Sequence, residues 1–242
     1  MPAPRDETSK RRRTWNDLSQ RLPGNFTILL GSLLVFILLP PFFATQRGDQ
    51  LIIPVLLSIV APLTLRAFTE SRRQFVVGLA LAIPSLAGRW VIMFTANRVV
   101  LIVFAFAWVL FLGLAVAFIL RLILTSRRIT YDTISGAICG YLLFGVMCSF
   151  IYGLIEIFYP GSFKEAGLTI ALHGTARHVR QEMMRFIYFS LVTLSTLGYG
   201  DIVPVSPPAR ALASVESISG QFYIAVLIAR LVSLHSSHWG SE

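Results

Sequence analysis

Long apolar stretches alternate with short polar segments along most of the chain, and this alternation predicts membrane-spanning helices. A helix rises about 1.5 Å per residue, so about 20 apolar residues cross the hydrocarbon core of a bilayer. Six stretches have this character, at residues 26–43, 51–68, 75–94, 99–124, 129–158 and 208–234. We therefore expect an all-α membrane protein with six transmembrane helices embedded in a lipid bilayer.

The segment between the fifth and sixth predicted spans has a different composition. Residues 159–180 are polar and contain three glycines, which is typical of an exposed loop. Residues 181–195 have the length of a helix that crosses half of a membrane. Such a re-entrant helix is tolerated at membrane depth only where protein or a water-filled cavity surrounds it. The pattern therefore predicts a protein-lined or water-lined element between these two spans.

Composition agrees with a polytopic membrane protein. Of 242 residues, 55% are hydrophobic and 14% are charged, with a mean hydropathy of +0.70, whereas soluble domains carry about 25% charged residues. The net charge of +9 does not indicate nucleic-acid binding, because the basic residues lie in short segments between apolar stretches. Cys139 and Cys148 lie in one apolar stretch and are expected to be small buried side chains, not a disulfide or a metal site.

The distribution of basic residues predicts the orientation. Cytoplasmic segments carry an excess of Lys and Arg, which places both termini in the cytoplasm of a multi-pass protein of the cell membrane. The N-terminal apolar run has no small-residue cleavage site, so it is interpreted as an anchor and not a signal peptide. The basic residues assigned to the cytoplasmic side lie in residues 1–24 and at Arg66, Arg72, Arg73, Arg121, Arg127, Arg128 and Arg230.

Residues 193–201, Thr-Leu-Ser-Thr-Leu-Gly-Tyr-Gly-Asp, contain the most specific motif in the chain. Rings of backbone carbonyls contributed by several chains can replace the hydration shell of K⁺. Turning successive carbonyls toward one axis requires residues with φ > 0, which glycine adopts without steric cost. Gly198 and Gly200 alternate with Leu197 and Tyr199, so the backbone conformation can alternate too. Thr196 adds a hydroxyl oxygen.

This motif resembles the selectivity filter of the potassium channel family, in which Thr-Val-Gly-Tyr-Gly is followed by Asp. The resemblance covers about 129–235 and implies a homotetramer, because the sequence contains one copy of the motif and such filters are built from four loops. It implies K⁺ binding at Thr196, Leu197, Gly198 and Tyr199, with Gly200 completing the filter. Leu197 replaces the usual Val, and only its carbonyl is expected to face the ion.

The same resemblance assigns roles around the filter. Tyr188 and Phe189 match an aromatic pair on the pore helix that helps to hold the filter open. Val192 occupies the position where some bacterial channels have a glutamate paired with the residue matching Asp201, so that partner is missing here. Glu216, an ionisable residue inside a predicted span, is a functional hypothesis by default. We expect it to form hydrogen bonds with the pore-helix backbone or with hydroxyls behind the filter.

Gly220 matches the inner-helix glycine hinge of the family. Helical periodicity places Gly220, Ile224, Ile228 and Val232 on one stripe. If the stripe lines the cavity, Ile224 or Ile228 could close a hydrophobic gate by dewetting; the alternative is that these isoleucines face lipid.

The first four predicted spans lack the features of a voltage sensor. Residues 99–120 contain no basic residue, whereas a voltage sensor moves several arginines through the membrane field. Arg89 is a single charge within the third span. Few residues follow residue 234, so no cytoplasmic regulatory domain is expected. The predicted organisation is a cytoplasmic tail (1–24), a four-helix domain (25–128), a pore domain (129–235) and a C-terminal tail (236–242).

These observations predict a small bacterial six-transmembrane potassium channel that conducts K⁺ passively. It would be neither an enzyme nor a nucleic-acid-binding protein, and it would need no cofactor besides the permeant ion. One alternative is a weakly selective cation channel. Another, from a different class, is a secondary transporter, which would require inverted repeats with paired broken helices.

Overall fold

The computed structural model describes residues 25–43, 49–68, 72–94, 97–125, 130–170 and 176–239. Within these ranges the chain forms seven helices: α1 Asn25–Phe43, α2 Asp49–Phe68, α3 Arg72–Phe94, α4 Arg98–Thr125, α5 Tyr131–Phe158, α6 Ala176–Leu194 and α7 Pro207–Trp239. Each predicted span and the predicted half-crossing helix coincide with one of them. Their order along the chain is therefore the order that the apolar pattern predicted.

Several sequence predictions lie outside the described residues. These are the N-terminal tail (1–24), the end of the C-terminal tail (240–242) and the side chains of Arg89 and Val232. The helix α7 continues to Trp239, past the predicted end of the sixth span at residue 234.

Three of the described helices are long and apolar enough to cross a membrane. They are α4, α5 and the part of α7 from Pro207 to Arg230. The first three helices contain shorter apolar segments, Asn25–Pro40, Ile53–Ala67 and Gln74–Gly88. Length and composition thus single out the helices on either side of α6, together with α4, as spanning helices.

The helix α5 lies at the centre of the packing. One apolar core runs continuously through α1, α2, α4 and α5 and reaches α6. In this core the Trp108 ring stacks on Phe150 with centroids 5.5 Å apart and planes 2° from parallel, and the Trp108 indole N–H donates to the Ser85 carbonyl oxygen at 3.1 Å. Because Trp108 belongs to α4 and Phe150 to α5, this contact joins the N-terminal helices to the C-terminal half.

The first helix is also held against α5 by a polar contact. Asp132, in the first turn of α5, accepts the backbone N–H groups of Phe26 at 3.2 Å and Thr27 at 3.3 Å through Oδ1. The first N–H groups of a helix have no partner within the helix, and the helix dipole favours a negative charge at this end. A residue of α5 therefore caps α1.

A three-stranded sheet follows α5, where the sequence predicted only a loop. Its strands are β1 Phe163–Glu165, β2 Leu168–Thr169 and β3 Ile202–Pro204, in the order β2-β1-β3. The turn between β1 and β2 has two residues, Ala166 (φ 49°) and Gly167 (φ 83°), with the positive φ values of a type I′ turn. Strands this short carry too few alternating positions to be recognised from sequence.

The sheet links two segments that are distant in sequence. The strand β3 comes directly after Asp201 and pairs antiparallel with β1, with Glu165 opposite Ile202 and Phe163 opposite Pro204. The Arg185 side chain of α6 reaches the Glu165 carboxylate at 3.1 Å and Glu182 at 2.8 Å. The chain that leaves the Gly-Tyr-Gly motif is therefore held by a backbone ladder and an ion pair.

Candidate functional site

The helix α6 ends in a Schellman motif directly before the glycine motif. The N–H of Leu197 donates to the Val192 carbonyl and that of Thr196 to the Thr193 carbonyl, both at 3.0 Å. This 6→1 and 5→2 pair is the defining pattern of the motif, which requires a left-handed residue at the C′ position. Thr196 occupies that position with φ 58°. A β-branched residue rarely adopts this conformation.

Alternation of φ continues through the filter segment, residues 196–200. Thr196, Gly198 and Gly200 have φ values of 58°, 57° and 76°, whereas Leu197 and Tyr199 are not among the residues with positive φ. The backbone alternation predicted from the glycine spacing is confirmed. The side chains of Leu197 and Tyr199 are 55% and 67% exposed, so the filter segment lies on the surface of the single chain.

Gly220 is a point of close approach between α7 and the end of α6. A Cβ atom at Gly220 would lie 2.4 Å from the Leu194 carbonyl oxygen and 2.8 Å from Leu194 Cδ1. The same carbonyl oxygen accepts the Tyr141 hydroxyl of α5 at 2.9 Å. Carbonyls in the last turn of a helix lack intrahelical partners. At the end of α6, the Tyr141 hydroxyl of α5 therefore bonds to the Leu194 carbonyl, and the α7 backbone approaches Leu194 closely because Gly220 has no side chain.

Glu216 lies one helical turn before Gly220 and is 1% exposed. Its Oε1 contacts the Ser190 hydroxyl of α6, and its Oε2 accepts the Tyr152 hydroxyl of α5. Glu216 thus bonds to hydroxyl groups, and its predicted role in supporting a filter stays a prediction. Ser190 Oγ also lies 2.6 Å from the Gly145 carbonyl oxygen of α5. One buried polar cluster therefore connects α5, α6 and α7.

The two aromatic residues singled out by sequence face in different directions. Tyr188 is part-exposed, and its hydroxyl donates to Asp201 Oδ2 at 2.7 Å. This hydrogen bond lowers the pKa of the Asp201 carboxyl below its ordinary value of 3.8. Asp201 Oδ1 accepts the backbone N–H of Ile202 at 3.0 Å. Asp201 thus has a side-chain partner on α6, although Val192 does not supply one.

Phe189 is buried on a different face of α6, among aromatic rings. Its ring meets those of Tyr152 and Phe163 at centroid distances of 5.0 and 5.5 Å, both edge to face. Phe163 belongs to β1, so this cluster packs the sheet onto α5 and α6. The sequence analysis missed Phe163, because its role depends on a strand that is only three residues long.

Gln221 contacts the first residue of the filter segment. Its side-chain Nε2 donates to Thr196 Oγ1 at 3.2 Å. Among the described residues, no group of three or more His, Cys, Asp or Glu side chains is arranged to hold a metal ion. The oxygens of the filter segment are its backbone carbonyls and the hydroxyls of Thr196 and Tyr199.

The C-terminal half of the chain is similar to known proteins. The family described as ion channel matches residues 138–236. The chain is 52% identical over 40 residues to the voltage-gated potassium channel Kch of Escherichia coli K12. This match covers 16% of this chain and 10% of that protein. It is 28% identical over 94 residues to the A-type voltage-gated potassium channel KCND3 of Homo sapiens, covering 39% of this chain and 13% of that protein.

Residues 138–236 of this chain are therefore similar to ion channels, and the two relatives are potassium channels. The matched region begins within α5 and includes α6, the filter segment and almost all of α7. The matched segments span only 10% and 13% of the two relatives, so the similarity concerns this region of the chain alone. No solved structure matches the chain.

The sequence analysis assigns the role of pore helix to α6 and that of inner helix to α7, and both assignments stay predictions. Ile224 and Ile228 are exposed on α7 in the single chain, as a cavity lining or a lipid-facing surface would both require. Their role in a gate, together with that of Val232, stays a prediction. The same holds for the hinge at Gly220, to which the structure adds the close contact with Leu194.

Proposed function

We propose that the chain is a subunit of a homotetrameric channel that conducts K⁺ passively and selectively across a cell membrane. The carbonyl oxygens of Thr196, Leu197, Gly198 and Tyr199, with the Thr196 hydroxyl, would form the ion sites. No cofactor and no bond-breaking chemistry are required. Within this proposal both termini are cytoplasmic, the six long helices span the bilayer and α6 is re-entrant.

The observation that carries this proposal is the alternation of φ along the filter segment. Successive peptide units in a uniform extended strand point their carbonyls to opposite sides. Left-handed residues at every second position turn alternate carbonyls back toward the same side, which is the arrangement that coordination of a dehydrated cation requires. A Gly-Tyr-Gly turn in an ordinary loop has no need to continue this alternation through Thr196.

Exposure of the pore region supports assembly. In an 18-residue apolar stretch of α7 only 11% of the residues are buried, whereas in the corresponding stretch of α5 the share is 61%. A closed ring of four copies would bring four filter segments onto one axis and cover part of α7. Oligomers with closed cyclic symmetry are the usual solution to such a surface. Native mass spectrometry in detergent would test this, with four subunits as the expected stoichiometry.

The side chain of Leu197 is the reason to consider the alternative of a weakly selective cation channel. Leucine in place of the usual valine changes packing behind the filter, and looser carbonyl positions would produce a weakly selective cation channel. A secondary transporter would require a second half with its own broken helix, and the sequence contains one Gly-Tyr-Gly motif.

The test is the reversal potential of the purified chain in planar bilayers under bi-ionic K⁺/Na⁺ conditions. We expect reversal near the K⁺ equilibrium value in the wild type and loss of this preference in Gly198→Asp. Gly167→Asp is the matched control, because Gly167 is also a glycine with positive φ and has open space around it, but lies in the β1–β2 turn. It should retain the wild-type value.

The outcomes separate the candidates. Current without K⁺ preference in the wild type would favour the weakly selective channel. Solute-coupled flux without channel current would favour a transporter. Loss of selectivity in both glycine variants would mean that Gly198→Asp acts through folding and not through the filter.

A further inference from the structure

Three glutamates are buried in the C-terminal half, and their surroundings differ. Glu156, Glu182 and Glu216 are 2%, 3% and 1% exposed. Glu156 accepts the backbone N–H groups of Gly161 at 2.7 Å and Ser162 at 2.9 Å, one on each carboxylate oxygen. Glu182 is paired with the Arg185 guanidinium. Both of these groups are met by donors, as an ionised carboxylate requires.

Glu216 is met by hydroxyl groups whose protons can be counted. The cluster contains three oxygen–oxygen contacts at hydrogen-bond distance: Gly145 O with Ser190 Oγ, Ser190 Oγ with Glu216 Oε1, and Glu216 Oε2 with Tyr152 Oη. Each contact needs one proton between its oxygens. Ser190 and Tyr152 have one hydroxyl proton each, and a backbone carbonyl has none. Two protons are therefore available for three contacts.

The position of the missing proton follows from the same count. The Gly145 carbonyl can only accept, so the Ser190 proton is committed to it at 2.6 Å. Ser190 Oγ then faces Glu216 Oε1 as an acceptor, and the proton between them must belong to Glu216. The Tyr152 proton is committed to Oε2.

We propose that Glu216 is a proton-binding site: at neutral pH it is a carboxylic acid whose O–H donates to Ser190, and this proton positions the pore helix behind the filter. A neutral acid also avoids the cost of an unpaired buried charge. The site's ligand is the proton, and its protein partners are Ser190 and Tyr152. The inference rests on the proposed channel function only for its effect on conduction.

Among the described residues, the groups that face Glu216 do not supply a compensating positive charge. From α5 the titratable groups are Cys148, Tyr152 and Tyr141, which are neutral acids in their ordinary state. From α6 the facing group is Ser190, which does not titrate. Loss of the Glu216 proton would therefore place an unpaired negative charge in this cluster.

Deprotonation would also break a link between helices. With Glu216 ionised, Ser190 must either face it without a proton or turn its own proton away from Gly145. In either case one of the contacts that join α7, α6 and α5 is lost. Because α6 leads directly into the filter segment, we expect K⁺ flux to fall as the pH is raised and the proton is removed.

Infrared spectroscopy of the purified chain tests the proton directly, without any need for conduction. We expect the carbonyl stretch of a protonated carboxylic acid at neutral pH, with a shift in D₂O. The band should be absent from Glu216→Gln and retained in Glu156→Gln and Glu182→Gln, the other two buried glutamates. Its absence from the wild type, or its persistence in Glu216→Gln, would overturn the proposal. Should Glu216→Gln fail to fold, Ser190→Ala must shift the band, and an unshifted band would overturn the proposal as well.

Flux measurements in liposomes test the consequence. Glutamine reproduces the neutral acid, with an amide N–H for Ser190 and an amide oxygen for Tyr152, but has no proton to lose. Glu216→Gln should therefore conduct K⁺ with little dependence on pH, whereas the wild type loses flux under alkaline conditions. Equal pH profiles for the two would count against the positioning role. Absence of K⁺ flux from every variant would contradict the proposed function, and the infrared band would still decide the proton site.

Discussion

The two long helices on either side of α6, namely α5 and α7, are both apolar, yet they contact α6 in different ways. In an 18-residue apolar stretch of α5, 61% of the residues are buried. The contacts of α5 extend from Asp132 at one end to Glu156 at the other. In α7 the corresponding share is 11%. Its contacts with α6 and the filter segment include Ala209 in the aromatic cluster, the Glu216 and Gln221 side chains, and the close approach at Gly220.

The difference indicates how the two helices divide their tasks. The broad apolar face of α5 is satisfied within the chain, so α5 acts as the scaffold on which α6 is mounted. The helix α7 meets α6 from Ala209, which lies in the cluster of Phe186 and Phe189, to Gly220 beside the end of α6, and Tyr223 bonds to α5. Other large apolar side chains of α7, including Phe222, Val226 and Ile228, are exposed on the single chain. This surface is free to contact lipid or another subunit.

Substitution of Gly220 should lower stability more than the other substitutions, because an added side chain would clash with the Leu194 carbonyl. A Cβ there would lie 2.4 Å from a backbone oxygen, which cannot rotate away as a side chain can. Overpacking typically costs about 1–3 kcal/mol, and we expect Gly220→Ala to lie at or above the upper end. The melting temperature in detergent and the K⁺ current should both fall.

Gly31→Ala provides the control for this substitution. Gly31 is an exposed residue within α1, and no atom lies within 4 Å of the position of its added Cβ. Replacing an exposed helical glycine by alanine gains up to about 1 kcal/mol of helix propensity. A Gly220→Ala chain that melts like the wild type would mean that α7 is not in close contact with Leu194.

Tyr141→Phe tests the corresponding contact from α5. It removes the hydroxyl that satisfies the Leu194 carbonyl, and an unsatisfied buried acceptor costs about 1–3 kcal/mol. The matched control is Tyr223→Phe, whose ring lies 5.6 Å from that of Tyr141. The Tyr223 hydroxyl donates to the Ala137 carbonyl, which lies inside α5 and has a helical partner of its own.

Denaturation of the two tyrosine variants should therefore give a larger loss of unfolding free energy for Tyr141→Phe than for Tyr223→Phe. Equal losses would show that ring packing, and not the Leu194 hydrogen bond, accounts for the effect. We also expect Tyr141→Phe to lose less unfolding free energy than Gly220→Ala, because it removes one hydrogen bond and introduces no clash.

Tyr188→Phe should have the smallest effect, since it concerns an exposed contact that belongs to neither α5 nor α7. The Tyr188 hydroxyl lowers the pKa of Asp201, so the contact contributes stability above the unfolded-state pKa and loses it as the pH falls through the folded-state value. In Tyr188→Phe the pKa of Asp201 should rise. NMR titration of ¹³C-labelled aspartate carboxyls measures it.

The exposed Tyr159 is the comparison for this experiment. Tyr159→Phe also removes a phenol hydroxyl and should leave the Asp201 titration unchanged. An Asp201 pKa that is the same in Tyr188→Phe and the wild type would contradict the hydrogen bond.

Local features were predictable from sequence for a physical reason. The helices follow from runs of apolar residues, because each helix satisfies its own backbone hydrogen bonds and needs only length and composition. The alternation at Gly198 and Gly200 follows from the conformational freedom of glycine. The hydrogen bonding of Glu216 to a hydroxyl followed from the cost of burying a polar group without a partner.

The partner of each side chain or strand could not be predicted from sequence, because it depends on which elements come together in the fold. Sequence marked Asp201 as lacking a partner at Val192, and the fold supplies Tyr188 instead. Sequence assigned the Gly-containing segment 159–180 to a loop, and pairing with the residues after the filter turns part of it into a sheet. Neither outcome is encoded in a local pattern, since each requires two segments distant in the chain to approach each other.

The sequence by itself determined the order of helices and the alternating backbone of residues 196–200, which rest on apolar run length and glycine spacing. Only the tertiary structure decided that Gly220 lies against the end of α6, that Ser190 stands between Gly145 and Glu216, and that Phe163 packs the sheet on the pore helix. Contacts of this kind depend on distances of a few ångströms between separate elements. Such distances are set by packing of the whole chain and not by any one segment.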